Sequence, residues 1–293
     1  MDGRRKMEHQ LLTEEEVREP ICLLMALDQN YLPQMKVLMT SAVLNNPGEH
    51  FCVFLLHSGI DEPELDEITK WSVKSGSAFE PIRVDEELFR SAPVSRQYPK
   101  EMYYRLLAAQ FLPDTMERVI YLDPDILIIN PLRPLWELGI NGKLFAAAAH
   151  TGKTELANNV NRIRLGVDHD YYNSGVLLMD LKQARDQIVP EQIFAFVEEH
   201  AKELMLPDQD LLNALFGDRI FPLGDEVWNY DARNYNNYLL RSSGIQDLSW
   251  VMQNTVILHF CGKAKPWKPG YFYRFGLLYQ HYMQLARRDW NMC

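Results

Sequence analysis

The 293-residue sequence predicts an α/β protein: a mainly parallel, Rossmann-like central sheet with helices on both faces. Three observations lead there. Short apolar runs rich in β-formers alternate with stretches of helical period, which is the pattern of repeated βα units. Neither an internal repeat nor a low-complexity linker interrupts that alternation. A 47% apolar content and a mean hydropathy of -0.27 describe an ordinary globular chain, long enough for one sizeable core.

The elements follow in order. Ile21 to Leu27 reads as a buried strand and Pro33 to Leu44 as a helix that stops before Asn45-Asn46-Pro47-Gly48. Phe51 to Leu56 is a second strand, Glu62 to Trp71 a second helix and Ala78 to Val84 a third strand. Tyr103, Leu106, Leu107 and Phe111 recur at near-helical spacing, which predicts a helix over Pro99 to Leu112. Strands are expected at Arg118 to Leu122, Leu144 to Ala149, Tyr172 to Met179 and Thr255 to Phe260. Glu191 to Glu203 is amphipathic, Asp208 to Phe216 is a helix with Asp208 placed as its N-cap, and residues 271 to 288 close the chain as a helix.

Charge and cysteine usage narrow the function. A formal charge of -10 argues against nucleic-acid partners, because that binding needs a basic surface. The cysteines Cys22, Cys52, Cys261 and Cys293 show no paired spacing or metal motif, and two lie in apolar runs. Buried free thiols in a reducing compartment are expected. Asp2 to Glu19 is a polar, charge-dense extension without an apolar signal core, and no run approaches the roughly 20 residues that span a bilayer. A cytoplasmic protein is expected. From Lys263 to Arg288 six basic residues and many aromatic ones occur without an acidic one. Such a segment can dock on an anionic membrane surface, pack its rings on the core, or do both.

Three Asp-x-Asp triplets are present: Asp123/Asp125, Asp168/Asp170 and Asp208/Asp210. Only Asp123-Pro124-Asp125 has apolar β-formers on both sides, Arg118-Val119-Ile120-Tyr121-Leu122 before it and Ile126-Leu127-Ile128-Ile129 after it. That places two carboxylates at the carboxyl edge of a central strand, where open α/β sheets bind ligands. Paired carboxylates there suit Mg²⁺ or Mn²⁺ and leave positions for substrate phosphates. His259 also ends a strand and can converge on the pair from the same sheet edge; an imidazole in the set favours Mn²⁺. Gly262 admits backbone to a diphosphate and Lys265 offers a charge-assisted contact. Asp28, Asn30 and Tyr31 follow the first strand, either reading and stacking on a base or forming an Asx cap. No Gly-x-Gly-x-x-Gly occurs, which argues against a dinucleotide oxidoreductase, and His150-Thr151-Gly152-Lys153-Thr154 lacks the first P-loop glycine, where Ala147 stands.

Six segments together resemble glycosyltransferase family 8: Asp28-x-Asn30-Tyr31, Tyr104-Arg105-Leu106, Tyr121-Leu122-Asp123-x-Asp125, Tyr172-Asn173-Ser174-Gly175-Val176, Asp208-Gln209-Asp210 and His259-Phe260-x-Gly262-x-x-Lys265-Pro266-Trp267. The family includes bacterial lipopolysaccharide galactosyl- and glucosyltransferases and, more distantly, glycogenin. The resemblance implies a GT-A fold over residues 21–262, between the polar extension 1–20 and the basic, aromatic segment 263–293. It implies transfer of a hexose from a UDP-sugar, with retention, to a glycan or glycolipid acceptor. By analogy Asp123, Asp125 and His259 hold Mn²⁺ (or Mg²⁺), Asp28, Asn30 and Tyr31 bind uridine, and Gly262 and Lys265 bind phosphate. Arg105, Asn173 and Asp208 contact the sugar, and Gln209 lies beneath the anomeric carbon. An amide is a poor nucleophile, so same-face attack with Gln209 stabilising an oxocarbenium-like centre is favoured over double displacement. His150 stands where many relatives carry an acidic residue, so acceptor preference does not transfer. The rival readings are a nucleotide-sugar hydrolase, a nucleotidylyltransferase, which needs a Gly-rich basic loop after the first strand, and a catalytically silent UDP-sugar or glycan-binding protein.

Overall fold

The protein was analysed as a computed structural model that describes residues 18–90, 92–93, 101–150 and 153–290. Among these residues the strands are β1 (Ile21–Ala26), β2 (Phe51–His57), β3 (Ala78–Arg83), β4 (Arg118–Leu122), β5 (Ile126–Ile128), β6 (Phe145–Ala148), β7 (Val176–Asp180), β8 (Ile220–Leu223), β9 (Tyr230–Asp231) and β10 (Ile257–His259). Seven form one sheet in the order β3-β2-β1-β4-β7-β6-β8. The β3-β2-β1-β4 half is parallel, as is the β6–β8 pair. β7 runs antiparallel to both its neighbours, β4 and β6. The smaller sheet, β5-β10-β9, stands apart, with β10 antiparallel to β5 and parallel to β9.

The central strands are apolar without alternation because both faces of the sheet are covered. Leu23, Met25, Ile120, Leu122, Val176 and Leu178 face one core, which also takes residues from the helices Leu32–Asn45 and Gly276–Asp289. Leu24, Val119, Tyr121, Leu177 and Met179 face the other, with Tyr103 to Leu112 and the helices Pro190–His200 and Pro207–Phe216. The period of two thus assigns alternate residues of the central strands to alternate cores. β3, at the edge, is largely exposed and carries Glu80, Pro81 and Arg83, residues that discourage pairing with another chain.

Several expected elements are redrawn. The predicted helix over Pro99 to Leu112 survives only as a turn at Glu101–Tyr104 and a 3₁₀ turn at Ala108–Gln110; the stretch 94–100 lies outside the described residues. Tyr103, Tyr104 and Leu106 to Ala109 are all buried, so the segment lacks the solvent face of an amphipathic helix. β7 begins at Val176, not Tyr172, because Asn213 pairs with both Tyr172 backbone groups (2.7 Å each) and the Asn173 side chain accepts from the Gly175 N–H (3.0 Å). The expected strand at Thr255 to Phe260 is the shorter β10 and belongs to the small sheet. The terminal helix starts at Gly276, since Tyr271 folds back over it: a Cβ on Gly276 would lie 2.6 Å from the Tyr271 ring. Cys22 and Cys52 are half-buried neighbours on adjacent strands, less enclosed than expected; Cys293 lies outside the described residues.

Most of the C-terminal rings pack inward. Phe275, Tyr279 and Trp290 are buried in the core, while Phe272 is 81% exposed. Trp290 stacks on Trp71 at 4.0 Å between ring centroids and donates to Thr40 Oγ1 (3.0 Å). Truncating this ring removes both contacts and opens a cavity between two helices. Trp290→Ala is therefore expected to lower stability by about 3–5 kcal/mol, read from a urea midpoint; a loss below about 1 kcal/mol would mean that the terminal helix does not close this core.

Candidate active site

The site is assembled where the two sheets meet. β4 ends at Leu122, and the chain turns through Asp123-Pro124-Asp125 into β5. β5 pairs with β10, so Ile126 lies opposite His259 and the Phe260 N–H donates to the Asp125 carbonyl (2.9 Å). That pairing brings His259 Nε2 to 3.2 Å from Asp125 and 3.9 Å from Asp123. One ligand atom from each of the three residues lies within 4.8 Å of the others. Convergence from one sheet edge, expected from the sequence, is corrected: His259 comes in from the second sheet. The other triplets separate cleanly. Asp168 and Asp170 are exposed, whereas Asp210 is fully buried under Arg164 and Tyr171.

Positive charge surrounds the acidic turn. Arg105 reaches Asp123 (3.2 Å) and Asp208 (3.0 Å) together, donates to Ser174, and lies 4.8 Å from the centre of the Tyr121 ring. Lys265 pairs with Asp125 and donates to the Phe260 carbonyl (3.0 Å). The two carboxylates consequently differ. Burial raises the Asp123 pKa against the pull of Arg105; Asp125 is the less exposed of the two, yet His259 and Lys265 hold it below the usual carboxylate range. Burial works against a charged His259, but Cys261 and Asp125 lift it well above the ordinary histidine value. His150 goes the other way, lowered by burial.

A chain of amides fixes the orientation of His259. Asn173 Oδ1 must accept, because it takes the Gly175 N–H; the Asn229 amide then donates to it (2.9 Å). That leaves Asn229 Oδ1 to accept from His259 Nδ1 (2.9 Å). His259 Nε2 therefore presents its lone pair to two carboxylates, an arrangement that requires a positive charge between them. A proton on Nε2 meets that need, and so does a divalent cation. The donor set suits such an ion: two oxygens, one imidazole and an outer partner on the far ring nitrogen. The same chain of amides continues to Gln209, whose Oε1 accepts from Asn173 Nδ2 (2.9 Å).

Other expected residues are placed as follows. Asp208 is not the helix cap; Leu206 occupies that position, and the backbone N–H groups of Met205 and Leu206 are satisfied by Asp210. Asp208 is released to pair with Arg105 and Ser174. Asp28 accepts from the Asn30 backbone and amide (2.9 and 3.2 Å), the Asx cap that was one of its two readings, and Tyr31 beside it is 41% exposed. Gly262 has φ +81°, and a Cβ there would meet the Arg233 guanidinium at 2.2 Å. Sequence reasoning passed over Arg233, Asn229 and Gly175, although Gly175 lies inside a segment already singled out.

Gly175 has no room for a side chain. A Cβ would stand 2.4 Å from His259 Cε1 and 2.6 Å from Asp123 Oδ2. Gly175→Ala is expected to cost about 1–3 kcal/mol of stability by overpacking and to weaken divalent-cation binding. An unchanged denaturation midpoint together with unchanged cation affinity would refute the close approach.

Residues 22–269 match the profile of Glycosyl transferase family 8. The chain is similar to General stress protein A of Bacillus subtilis strain 168, 29% identical over 272 residues, covering 90% of this chain and 92% of that one. It is also similar to Lipopolysaccharide 1,2-glucosyltransferase of Escherichia coli K12, 27% identical over 250 residues, 82% of this chain and 70% of that one. Among solved structures, the galactosyltransferase LgtC in complex with donor and acceptor sugar analogs matches with a TM-score of 0.74. That match covers 90% of this chain and 96% of that chain at 24% identity. The expected GT-A architecture is thereby met. With the family profile spanning most of its length, this chain belongs to glycosyltransferase family 8.

Proposed function

We propose that the protein is a retaining hexosyltransferase that takes its sugar from UDP-glucose or UDP-galactose and passes it to a glycan or glycolipid acceptor of the cell surface. The observation that carries this reading is the convergence of Asp123, Asp125 and His259, linked through Asn229 and Asn173 to Gln209. Membership of the family supports glycosyl transfer itself. The lipopolysaccharide glucosyl- and galactosyltransferases among the relatives support a hexose and a cell-surface acceptor.

Asp123, Asp125 and His259 are the residues that would hold Mn²⁺, with Mg²⁺ the other candidate; the ion would neutralise the diphosphate as the leaving group gains charge. The remaining roles belong to the chain. Lys265 sits beside Asp125 and can turn to a phosphate oxygen, and Gly262, at φ +81° with the Arg233 guanidinium where a Cβ would lie, is the backbone contact to phosphate in this reading. Asp28, Asn30 and Tyr31 form a small capped turn at the end of β1, with an exposed ring on which a uracil can stack. Arg105 holds Asp123 and Asp208 together, so the sugar-facing carboxylate and the cation-facing one move as a unit. Asn173 fixes the Gln209 amide by a 2.9 Å bond. Gln209 is too weak a nucleophile for a covalent intermediate, so its carbonyl stabilises the developing positive charge while the acceptor attacks from the face the phosphate leaves.

No helix among the described residues is long and apolar enough to cross a membrane. Peripheral contact with an anionic membrane, at its cytoplasmic face, is part of the same reading. It is supported by Phe272 and Leu277, both over 80% exposed, in a segment that also exposes Lys268, Arg287 and Arg288.

Three experiments test these statements. Incubation with UDP-glucose, UDP-galactose and their N-acetyl forms in the presence of Mn²⁺ is expected to release UDP from a hexose donor. Asp125→Ala is expected to abolish metal-dependent UDP binding with the fold kept. Absence of both UDP release and UDP binding would sink the transferase reading, and an Asp125→Ala protein that turns over at the parent rate would sink the metal assignment. Sedimentation with anionic liposomes should show binding that falls between low and high salt, since surface attraction is screened within about 10 Å at 0.1 M; salt-insensitive or absent binding leaves the C-terminal segment a purely structural role.

A further inference from the structure

A second group of metal-binding side chains shares His259 with the carboxylate pair. His150, His259 and Cys261 each offer one ligand atom, and these atoms lie within 4.8 Å of one another. The three come from separate places: the loop after β6, the end of β10, and two residues beyond it. The His150 and His259 rings meet edge to face with centroids 6.4 Å apart, and both side chains are buried. His150 Nε2 faces the Asn229 carbonyl (2.9 Å), which can only accept, so this nitrogen carries the proton and Nδ1 carries the lone pair.

We propose that His150, His259 and Cys261 form a soft-metal site that takes Zn²⁺ and excludes the hard ion from the Asp123–Asp125 side. Two imidazoles and a thiolate are ligands that Zn²⁺ prefers and Mn²⁺ does not, and three protein ligands with one open position is a common zinc arrangement. Zn²⁺ binding releases the thiol proton to solvent, so the filled site carries one net positive charge. Asp123 and Asp125 stand next to it and stabilise that charge.

His259 belongs to both groups, and a neutral imidazole has one lone pair for a metal. With Nδ1 donating to Asn229, both ions would need the lone pair on Nε2, so an ion held there removes His259 from service to the other. This exclusion rests on the proposed hard-ion site, whereas Zn²⁺ binding to the His150–His259–Cys261 group does not. The consequence for activity is inhibition by Zn²⁺ that excess Mn²⁺ relieves. His150 stands where an acidic residue is expected from the family resemblance, and it gives this chain the second nitrogen of the soft set.

The test uses the full chain and metal ions alone. Zn²⁺ affinity is measured by competition with a chromophoric chelator, and Co²⁺ is added as a spectroscopic substitute. The parent protein is expected to bind one Zn²⁺ and to show a thiolate-to-cobalt charge-transfer band in the near ultraviolet. Cys261→Ser should lose that band and bind Zn²⁺ about 100-fold more weakly, beyond most of the roughly 10–100-fold range that follows loss of an outer partner. His150→Ala should weaken Zn²⁺ by at least about tenfold, while Asp123→Asn should retain it. A parent Co²⁺ spectrum without the thiolate band overturns the site. So does Zn²⁺ binding that survives Cys261→Ser but is lost in Asp123→Asn, which would put the ion on the carboxylates. Mn²⁺ binding is followed separately through the paramagnetic signal of the free ion. Mn²⁺ that binds without weakening Zn²⁺ overturns the exclusion. Zn²⁺ binding in a protein that takes up no Mn²⁺ overturns the hard-ion reading and leaves the soft site standing.

Discussion

The site depends on the antiparallel pairing of β5 with β10. Three residues of each strand are matched, and the bond from the Phe260 N–H to the Asp125 carbonyl continues the ladder past its end. This short ladder joins the acidic turn that ends the central parallel strands to a histidine far along the chain. Backbone pairing is directional and sets side-chain position to within a residue, because a one-residue slip would turn His259 to the opposite face. The loop that carries Lys265 leaves from the same strand end, so one ladder places a carboxylate, an imidazole and an ammonium around one point.

Once the ladder has placed them, charge and hydrogen bonding settle how these groups coexist. Two carboxylates one residue apart in a buried turn repel each other, and each has its own cationic neighbour: Arg105 for Asp123 and Lys265 for Asp125. Arg105 extends the arrangement to Asp208, and the amide chain from Gly175 through Asn173 and Asn229 to His259 fixes which imidazole nitrogen faces the acids. Every amide in that chain has only one orientation compatible with its neighbours. The tautomer of His259 is thus determined by a backbone N–H in the turn before β7, and Gly175 supplies that N–H as well as the space the ring occupies. Buried polar networks of this kind hold a geometry only when each member is satisfied, which explains why residues with no chemistry of their own surround the site.

The central strands and the acidic turn could be read from the chain because their signals are local. A run such as Ile21 to Ala26 is apolar on both faces, and Asp123/Asp125 was separated from two other triplets by its β-forming flanks; the exposure of Asp168/Asp170 and the inward role of Asp210 agree with that separation. The segment around Tyr103 to Phe111 misled, since helical spacing says where apolar residues recur but not that the intervening ones are buried too. Asp208 misled in a similar way. Its position suits a cap, yet the helix already begins at Pro207, where Asp210 takes the Met205 and Leu206 N–H groups from inside the first turn, leaving Asp208 for Arg105.

By itself the sequence determined the α/β class, the strand-end placement of Asp123 and Asp125, and a set of ordered motifs sufficient to point to the family. These are properties of residues close to one another in the chain, where periodicity and flanking residues carry the information. Only the tertiary structure decided that His259 arrives from a second sheet, that Asn229 sets its tautomer, and that Cys261 and His150 stand beside it. Cys261 and His150 show no metal-motif spacing because one follows β10 and the other lies in the loop after β6. Contacts between residues so far apart arise from strand pairing and packing, and no local pattern records which distant partner a strand will choose.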